Sequence, residues 1–326
     1  MRSFDTDHKL GTIAMISDEQ IRLLTLCRID GVGWHLIARE AQRPGGLDRL
    51  YAGEFTEATR DAARSLPNLR AGLDKVDSLM AQTREAADQA AAVGATLHTV
   101  VDDSYPMNLR LVFNLPPFLF VRGSLLAEDI RSVAVVGTRE ASRDGMFRAS
   151  RMARLLVEND VTVVSGMALG IDTAAHTATL EASGRTIAVV GTGILRSYPR
   201  QNSQLCETIA EHGAVVSQFW PDSPPTKFGF PRRNVTMSGI TQGTVVIEAS
   251  STSGAKMQAR FALEHGKRVF LLRSLVDSHE WARGYVENRG ARVVDTVDDV
   301  LEGLLPIDRI QAADERREQL AIEFSS

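Results

Sequence analysis

The segment SVAVVGTREASRDGMFRAS (Ser132–Ser150) opens on an apolar, β-branched run, Val133 to Val136, that stops at Gly137. A short loop with Arg139 and Arg143 follows, and a helical pattern sets in near Gly145. A strand that feeds a glycine turn and then a helix exposes backbone N–H groups at the turn. The helix N-terminus adds a partial positive charge there. Two arginines in such a turn suit phosphate better than a neutral ligand. The same arrangement also serves simply to connect the strands of a parallel sheet, so this segment alone leaves both readings open.

Downstream of Val133, strand-like runs alternate with helical patterns: VAVV, VTVVS, TIAVV, AVVS, TVVIEA, RVFLL and ARVV. Most are continuous instead of alternating, as expected of strands buried on both faces. The segments between them are long enough for crossover helices. The expectation is an α/β fold with a doubly wound, mostly parallel sheet. Upstream, TLHTVV (96–101) and FLFV (118–121) read as strands leading into it, around a turn and a short helix.

Before those strands the chain reads as helices. DEQIRLLTLCRIDGVGWHLIAREA (Asp18–Ala41) sets two short helices around Gly31-Val32-Gly33. Helix–GVG–helix is either a helix-hairpin-helix, which offers N–H groups to a nucleic-acid backbone, or a plain helical hairpin. The turn holds no lysine or arginine, which favours the plain hairpin. Residues 51–95 are Ala-rich and charged, a helix stopped at Gly94. The predicted division is a helical domain over 1–94 (helix-hairpin-helix or SAM-like), an α/β domain over 95–305, and a charged helical tail over 306–326.

A chain of 326 residues suits about two domains. No run reaches the ~18 apolar residues of a membrane span, and the first fifteen residues carry no signal-peptide core. Cys27 and Cys206 are far apart with no CxxC, which excludes a disulfide framework or a Cys-rich zinc site and fits a reducing cytoplasm. The net charge is −4, so any nucleic-acid binding must come from a local patch.

In a doubly wound sheet, ligands bind outside the carboxyl ends of the strands. The loops there carry Gly137, Thr138, Arg139, Ser142 and Arg143; then Ser165 and Gly166; then Gly191, Gly193, Arg196, Tyr198 and Arg200. The next loop, QFWPDSPPTKFGFPRRN (Gln218–Asn234), holds Lys227, Phe228, Phe230, Arg232 and Arg233. The last holds Glu248, Ser253, Gly254 and Lys256. Glycines, hydroxyls and cations on one edge suit a polyanion, unless the arginines serve only solubility. Aromatics beside cations are the physics of single-strand binding, where each stacked base contributes about 1–3 kcal/mol. Trp220 and Phe228 are expected to fold inward. Phe230 precedes Pro231, which favours an extended backbone and a ring at the rim.

Enzyme motifs fit poorly. GTGILR (Gly191–Arg196) begins like GxGxxG but ends in Arg196, and Ser165 stands where a nicotinamide site needs an acid. Ala255 separates Gly254 from Lys256, so SSTSGAK is no P-loop, and neither HExxH nor GxSxG occurs. His176, with Asp172 at i−4, reads as a capping or core pair. No catalytic residue, metal or cofactor is expected.

Several stretches together resemble the DNA-processing protein A family (DprA, also called Smf). They are SGMALGIDTAAH, GRTIAVVGTGILRSYPRQNSQL, FPRRN and VVIEASSTSGA, with GTR upstream and DDSYPMNLRLVFNLPPFLFVRG before it. The resemblance runs from about Tyr105 to Val300. It implies an extended Rossmann-like fold, binding of single-stranded DNA, self-association as a homodimer, and loading of RecA recombinase onto incoming DNA during natural transformation. It implies no catalysis. By motif it assigns a phosphate contact to Arg139, matches Lys227 and the Arg233-Asn234 pair, and makes Phe230 the stacking ring. With the loop residues this gives a candidate DNA-binding set: Gly137, Thr138, Arg139, Ser165, Gly166, Gly193, Lys227, Phe230, Arg233, Asn234, Ser253, Gly254 and Lys256.

The sequence departs from the family pattern in places. FPxRNR ends here in Val235, with Lys256 as a partial replacement for the arginine; SGSLxTA is SGAKMQA; and VPG is Leu272-Arg273-Ser274. RGYVENRGA stands for GxNxLIxxGA, and the tail leaves little room for the winged-helix domain many members carry. The alternative is a nucleotide sensor or hydrolase on the related lysine-decarboxylase-like scaffold, with Glu248 as its carboxylate, although PGGxGTxxE is missing. A pure interaction module is a third reading. Met257, Phe261 and Leu263, on the helix after Glu248, form the predicted dimer face.

Overall fold

The computed structural model describes residues 16–323. The reading of the first fifteen residues as lacking a signal peptide, and the last three residues of the tail, lie outside that range.

Nine strands form one sheet: β1 (Ala95–Thr99), β2 (Phe118–Gly123), β3 (Ser132–Val136), β4 (Thr162–Ser165), β5 (Thr186–Val189), β6 (Ala214–Ser217), β7 (Gly243–Val246), β8 (Arg268–Leu272) and β9 (Arg292–Val294). Their order across the sheet is β1-β2-β6-β5-β4-β3-β7-β8-β9. From β6 to β9 all neighbours are parallel, whereas β2 runs antiparallel to both β1 and β6. This is the predicted extended, doubly wound α/β sheet. The chain leaves β3 in one direction, returns, and adds β7 on its other side, so the topological switch lies between β3 and β7.

The continuous apolar runs are explained by burial on both faces. Side chains alternate across a strand, so Val133 and Val135 enter one core and Ala134 and Val136 the other. The first of these cores is closed by α7 (Arg143–Val157) and α8 (Ile171–Glu181), through Ala149, Met152, Leu156, Ala175 and Ala178. The second is closed by α9 (Ser203–His212), α10 (Gly229–Ile240) and α11 (Gly254–Glu264).

The N-terminal helices α1 (Asp18–Leu26), α2 (Trp34–Ala41), α3 (Gly46–Tyr51), α4 (Arg60–Leu73) and α5 (Val76–Ala91) share that second core. Leu23, Leu24, Leu26 and Ile37 are fully buried within it or at its edge. Trp34 packs its ring 5.0 Å from Phe118 on β2, and Phe118 lies 5.1 Å from Trp220. The GVG turn is covered from within this unit: Asn68 of α4 donates its side-chain amide to the Gly31 carbonyl at 3.3 Å. A Cβ on Gly31, whose φ is +76°, would lie 2.4 Å from Asn68 Nδ2. The plain-hairpin reading fits this packing. Past the sheet the tail is helical over Ile307–Glu323.

One local expectation is corrected. Phe230 is not extended: it is the second residue of α10, and Pro231 the third. Proline fits the first turn of a helix because the N–H it lacks has no intrahelical partner there. Among the described residues, no helix is long and apolar enough to cross a membrane.

Candidate nucleic-acid interface

At the switch point the loops after β3 and β7 are tied together. Ile247 N–H donates to the Val136 carbonyl at 3.0 Å, and Thr138 N–H to the Glu248 carbonyl at 2.7 Å. Ser142, which caps α7 by accepting from Gly145 N–H, donates its hydroxyl to Glu248 Oε2 at 2.7 Å. Between these loops and α10 opens a cavity of about 260 Å³, whose lining includes Gly137, Thr138, Arg139, Phe230, Asn234 and Gly254.

The floor of the cavity holds two opposite charges taken out of water. Asp172 and Arg233 both line it and both are buried. Burial raises the Asp172 carboxyl pKa; Arg233 and the Ala168 and Gly166 amides oppose that rise. The amides donate to Oδ2 at 3.3 and 3.1 Å. Burial lowers the Arg233 pKa, and Asp172 opposes that too. Arg233 donates Nη1–H to the Val189 carbonyl at 2.9 Å, while its Nε has no partner. Arg233 thus ties α10 to the end of β5, while Asp172 holds the loop after β4 through its amides.

The rim is built differently. The Phe230 ring stands over Gly191, where a Cβ would meet it at 2.8 Å. Its other neighbours are Tyr198, at 5.7 Å between centroids, and the Arg139 guanidinium, 5.2 Å from its centroid. The side chains of Arg139, Arg143, Arg200 and Lys227 make no hydrogen bond or ion pair among the described residues. Arg196 does, with Asp222 at 2.9 Å. The edge therefore presents four cations without carboxylate partners, with Arg139 set beside the half-buried Phe230 ring. Such a surface attracts phosphate by charge and a base by stacking.

The candidate residues fall into two groups. Gly137, Thr138, Arg139, Phe230, Asn234, Ser253 and Gly254 come together at the cavity, and Lys227 is exposed near the start of α10. Asn234 is largely enclosed, its amide reaching the Gly254 carbonyl at 3.3 Å. Ser165, Gly166 and Gly193 lie inside instead, and Arg233 lines the cavity but is buried. Ser165 Oγ donates to the Val135 carbonyl at 2.7 Å. Gly166 lies under the Arg233 guanidinium, and Gly193 N–H donates to the Ser223 carbonyl at 2.9 Å. Lys256 does not line the cavity; its Nζ sits 5.7 Å from the Trp281 ring on α13 (Glu280–Arg289), so it does not occupy the space of an arginine at Val235.

Two other expectations reverse. Trp220 does fold inward, against Phe118, but Phe228 points out and is 82% exposed. Asp172 and His176 are both buried, but not as partners: Asp172 serves Arg233 and the loop amides, and His176 pairs with Thr186. Sequence reading left Tyr198 out of the site, although an aromatic beside two loop arginines was a signal for it. Glu248 was offered as a hydrolytic carboxylate; its oxygens are held by Ser142 at the start of α7.

Fold and site together define an extended Rossmann-like α/β protein with a cationic, aromatic ligand edge at its topological switch. Residues 96–305 match the family described as DNA recombination-mediator protein A, and the chain belongs to that family. It is 38% identical to the DNA processing protein DprA of Streptococcus pneumoniae over 62% of this chain and 72% of that one. It is 38% identical to protein Smf of Escherichia coli over 87% of this chain and 74% of that one. The X-ray structure of the S. pneumoniae protein superposes with a TM-score of 0.71 at 28% identity, covering 89% of this chain and 99% of that chain. DNA processing protein A of Helicobacter pylori, solved for its single-stranded DNA binding mode, shares the fold with a TM-score of 0.56 at 24% identity, over 64% of this chain and 94% of that one.

Proposed function

We propose that this protein binds single-stranded DNA at the edge formed by Arg139, Phe230 and Lys227, without catalysis, and passes the strand to a RecA-type recombinase. It acts in the cytoplasm as a homodimer, with Met257, Phe261 and Leu263 of α11 on the shared face. The observation that carries the reading is Phe230 held beside Arg139 on an edge where Arg143, Arg200 and Lys227 also lack carboxylate partners. Stacking needs an unpaired base, so such an edge favours single strands over duplex. The H. pylori relative, studied for single-stranded DNA binding, points the same way. The nucleotide-hydrolase alternative has less support: its PGGxGTxxE motif is missing, and Glu248 already accepts hydrogen bonds from Ser142. A gel shift with single- and double-stranded DNA at two salt concentrations tests the reading. Salt-sensitive retardation of the single strand alone is expected; equal affinity for both forms, or none for either, overturns it.

A further inference from the structure

A second, larger opening lies on the other side of α10. It is a groove of about 810 Å³ between the α1–α2 turn, the segment around Asn114, and the stretch from Gln218 to Val235. Two arginines flank it, each fixed on an indole. The Arg28 guanidinium stacks 3.8 Å from the Trp220 ring centroid, and that of Arg232 lies 4.6 Å from Trp34. Arg28 is further tied to Thr83 Oγ1 at 3.0 Å and the Gln82 carbonyl at 2.9 Å, both neutral acceptors. The Arg232 side chain makes no hydrogen bond, and neither arginine makes an ion pair, among the described residues. Asp30 is the one carboxylate in the described lining, against amides of Gln82, Asn114 and Gln218.

We propose that this groove is a second subsite for the same single strand, taking phosphates on Arg28 and Arg232 after the strand has crossed the N-terminal turn of α10. The inference rests on the single-strand reading of the Phe230 edge. Phe230 and Arg232 are two residues apart on a helix, about 200° around its axis. One therefore faces the cavity and the other the groove, and each lines its own opening. Lys227 and Phe228, both exposed, stand just before that turn. They give a crossing strand a cation and a ring. Arginines already stacked on tryptophan lose little freedom when they bind, and their planar forks match phosphate. A helix with its side chains is about 10 Å across. A single strand spans that width in a few nucleotides. Short oligonucleotides thus fill the cavity edge alone, and longer ones fill both.

The test is fluorescence anisotropy with labelled oligothymidines of about four and about sixteen nucleotides, on the full chain and on Arg232→Ala and the double variant Arg28→Ala/Arg232→Ala. The Arg232 side chain makes no hydrogen bond, so the single variant is expected to keep the fold, which circular dichroism checks. For the long strand, each lost phosphate contact is expected to weaken binding about tenfold and to lower the salt slope by about 0.7. The short strand is expected to bind as before. Equal losses on both lengths, or no loss on the long strand, overturn the second subsite while leaving the Phe230 edge standing. A wild-type chain that binds neither length overturns the single-strand reading itself.

Discussion

The Arg233 guanidinium lies so close over Gly166 that a Cβ on that glycine would stand 1.5 Å from Nη1. No side chain fits there without moving the arginine off the Val189 carbonyl and away from Asp172. Gly166→Ala is therefore expected to displace the Arg233 guanidinium from that carbonyl. Leaving a buried polar group without its partner costs about 1–3 kcal/mol, and more for a charged group, and urea denaturation of Gly166→Ala should show a loss of at least that order. Arg233→Lys is not expected to rescue, because an ammonium cannot reproduce the planar fork.

The same pair sets a pH signature. Burial raises the Asp172 carboxyl pKa against the opposing Arg233 charge. Removing that charge in Arg233→Ala raises it further. A raised carboxyl pKa means that the folded state takes up a proton before the unfolded state does, so stability falls as pH rises through the folded value. The deficit of Arg233→Ala relative to wild type is thus largest at neutral pH and shrinks as the pH falls into the range where Asp172 protonates. A deficit independent of pH would show that Asp172 does not carry the cost.

His176 works in the opposite sense. Burial, then the Arg233 charge, lowers its pKa to about 3. The Thr186 hydroxyl gives its hydrogen to the Val163 carbonyl, so Nδ1 of His176 donates to Thr186 at 2.7 Å and Nε2 is left unpartnered. Protonating the ring would bury a charge beside Arg233, which the Ser165 backbone offsets only in part. The unfolded chain takes that proton near pH 6.5, the folded chain only near 3, so this stability is complete above 6.5 and is lost as pH falls between the two values. The slope should approach about 1.4 kcal/mol per pH unit. In His176→Phe that component of the slope should vanish, as melting curves across this range will show.

At the rim, Phe230→Ala is expected to cost about 1–3 kcal/mol of single-strand binding, and Phe230→Trp to retain most of it. Arg139→Ala should flatten the salt dependence by about 0.7. Phe228, 82% exposed, should tolerate alanine without loss of thermal stability. A Phe230→Ala chain that folds and binds like wild type would remove stacking from this site.

For the dimer, light scattering at micromolar concentration should report twice the mass of one chain, and Phe261→Glu should return it to one. Phe261 is half-buried with the Arg260 guanidinium 5.1 Å from its ring. A wild-type monomer at that concentration would leave α11 as an ordinary half-covered helix.

The sheet was legible because its strands are buried on both faces and so read as unbroken apolar runs; each predicted run is a strand. The ligand edge was legible because a parallel sheet puts its loops on one side. Burial within those loops was not. Phe228 and Phe230 lie in a stretch with no periodicity, so nothing in the sequence said which ring turns in. Arg233 looks like any loop cation until Asp172, far away in the chain, is seen beneath it. The second groove was invisible for the same reason: Arg28, Asn114 and Arg232 meet only when the N-terminal helices dock on β2. Val235 shows the limit of motif comparison. It faces that groove, one helical turn from Arg232 on the same side of α10.

The pairing of β3 with β7 also fixes when the ligand edge can exist. Val133 is hydrogen-bonded beside Gly243, and everything from β4 to α10 is made between them. As the chain leaves the ribosome, β3 to β6 can assemble first, with one edge of β3 left open. An open strand edge is a template for pairing with another chain. Only the arrival of β7 closes it, and the same step brings Glu248 to Ser142 and Ser253 and Gly254 to the cavity. Covering of the β3 edge and completion of the candidate site are thus one step, after which the open edge passes to β7 until β8 pairs with it.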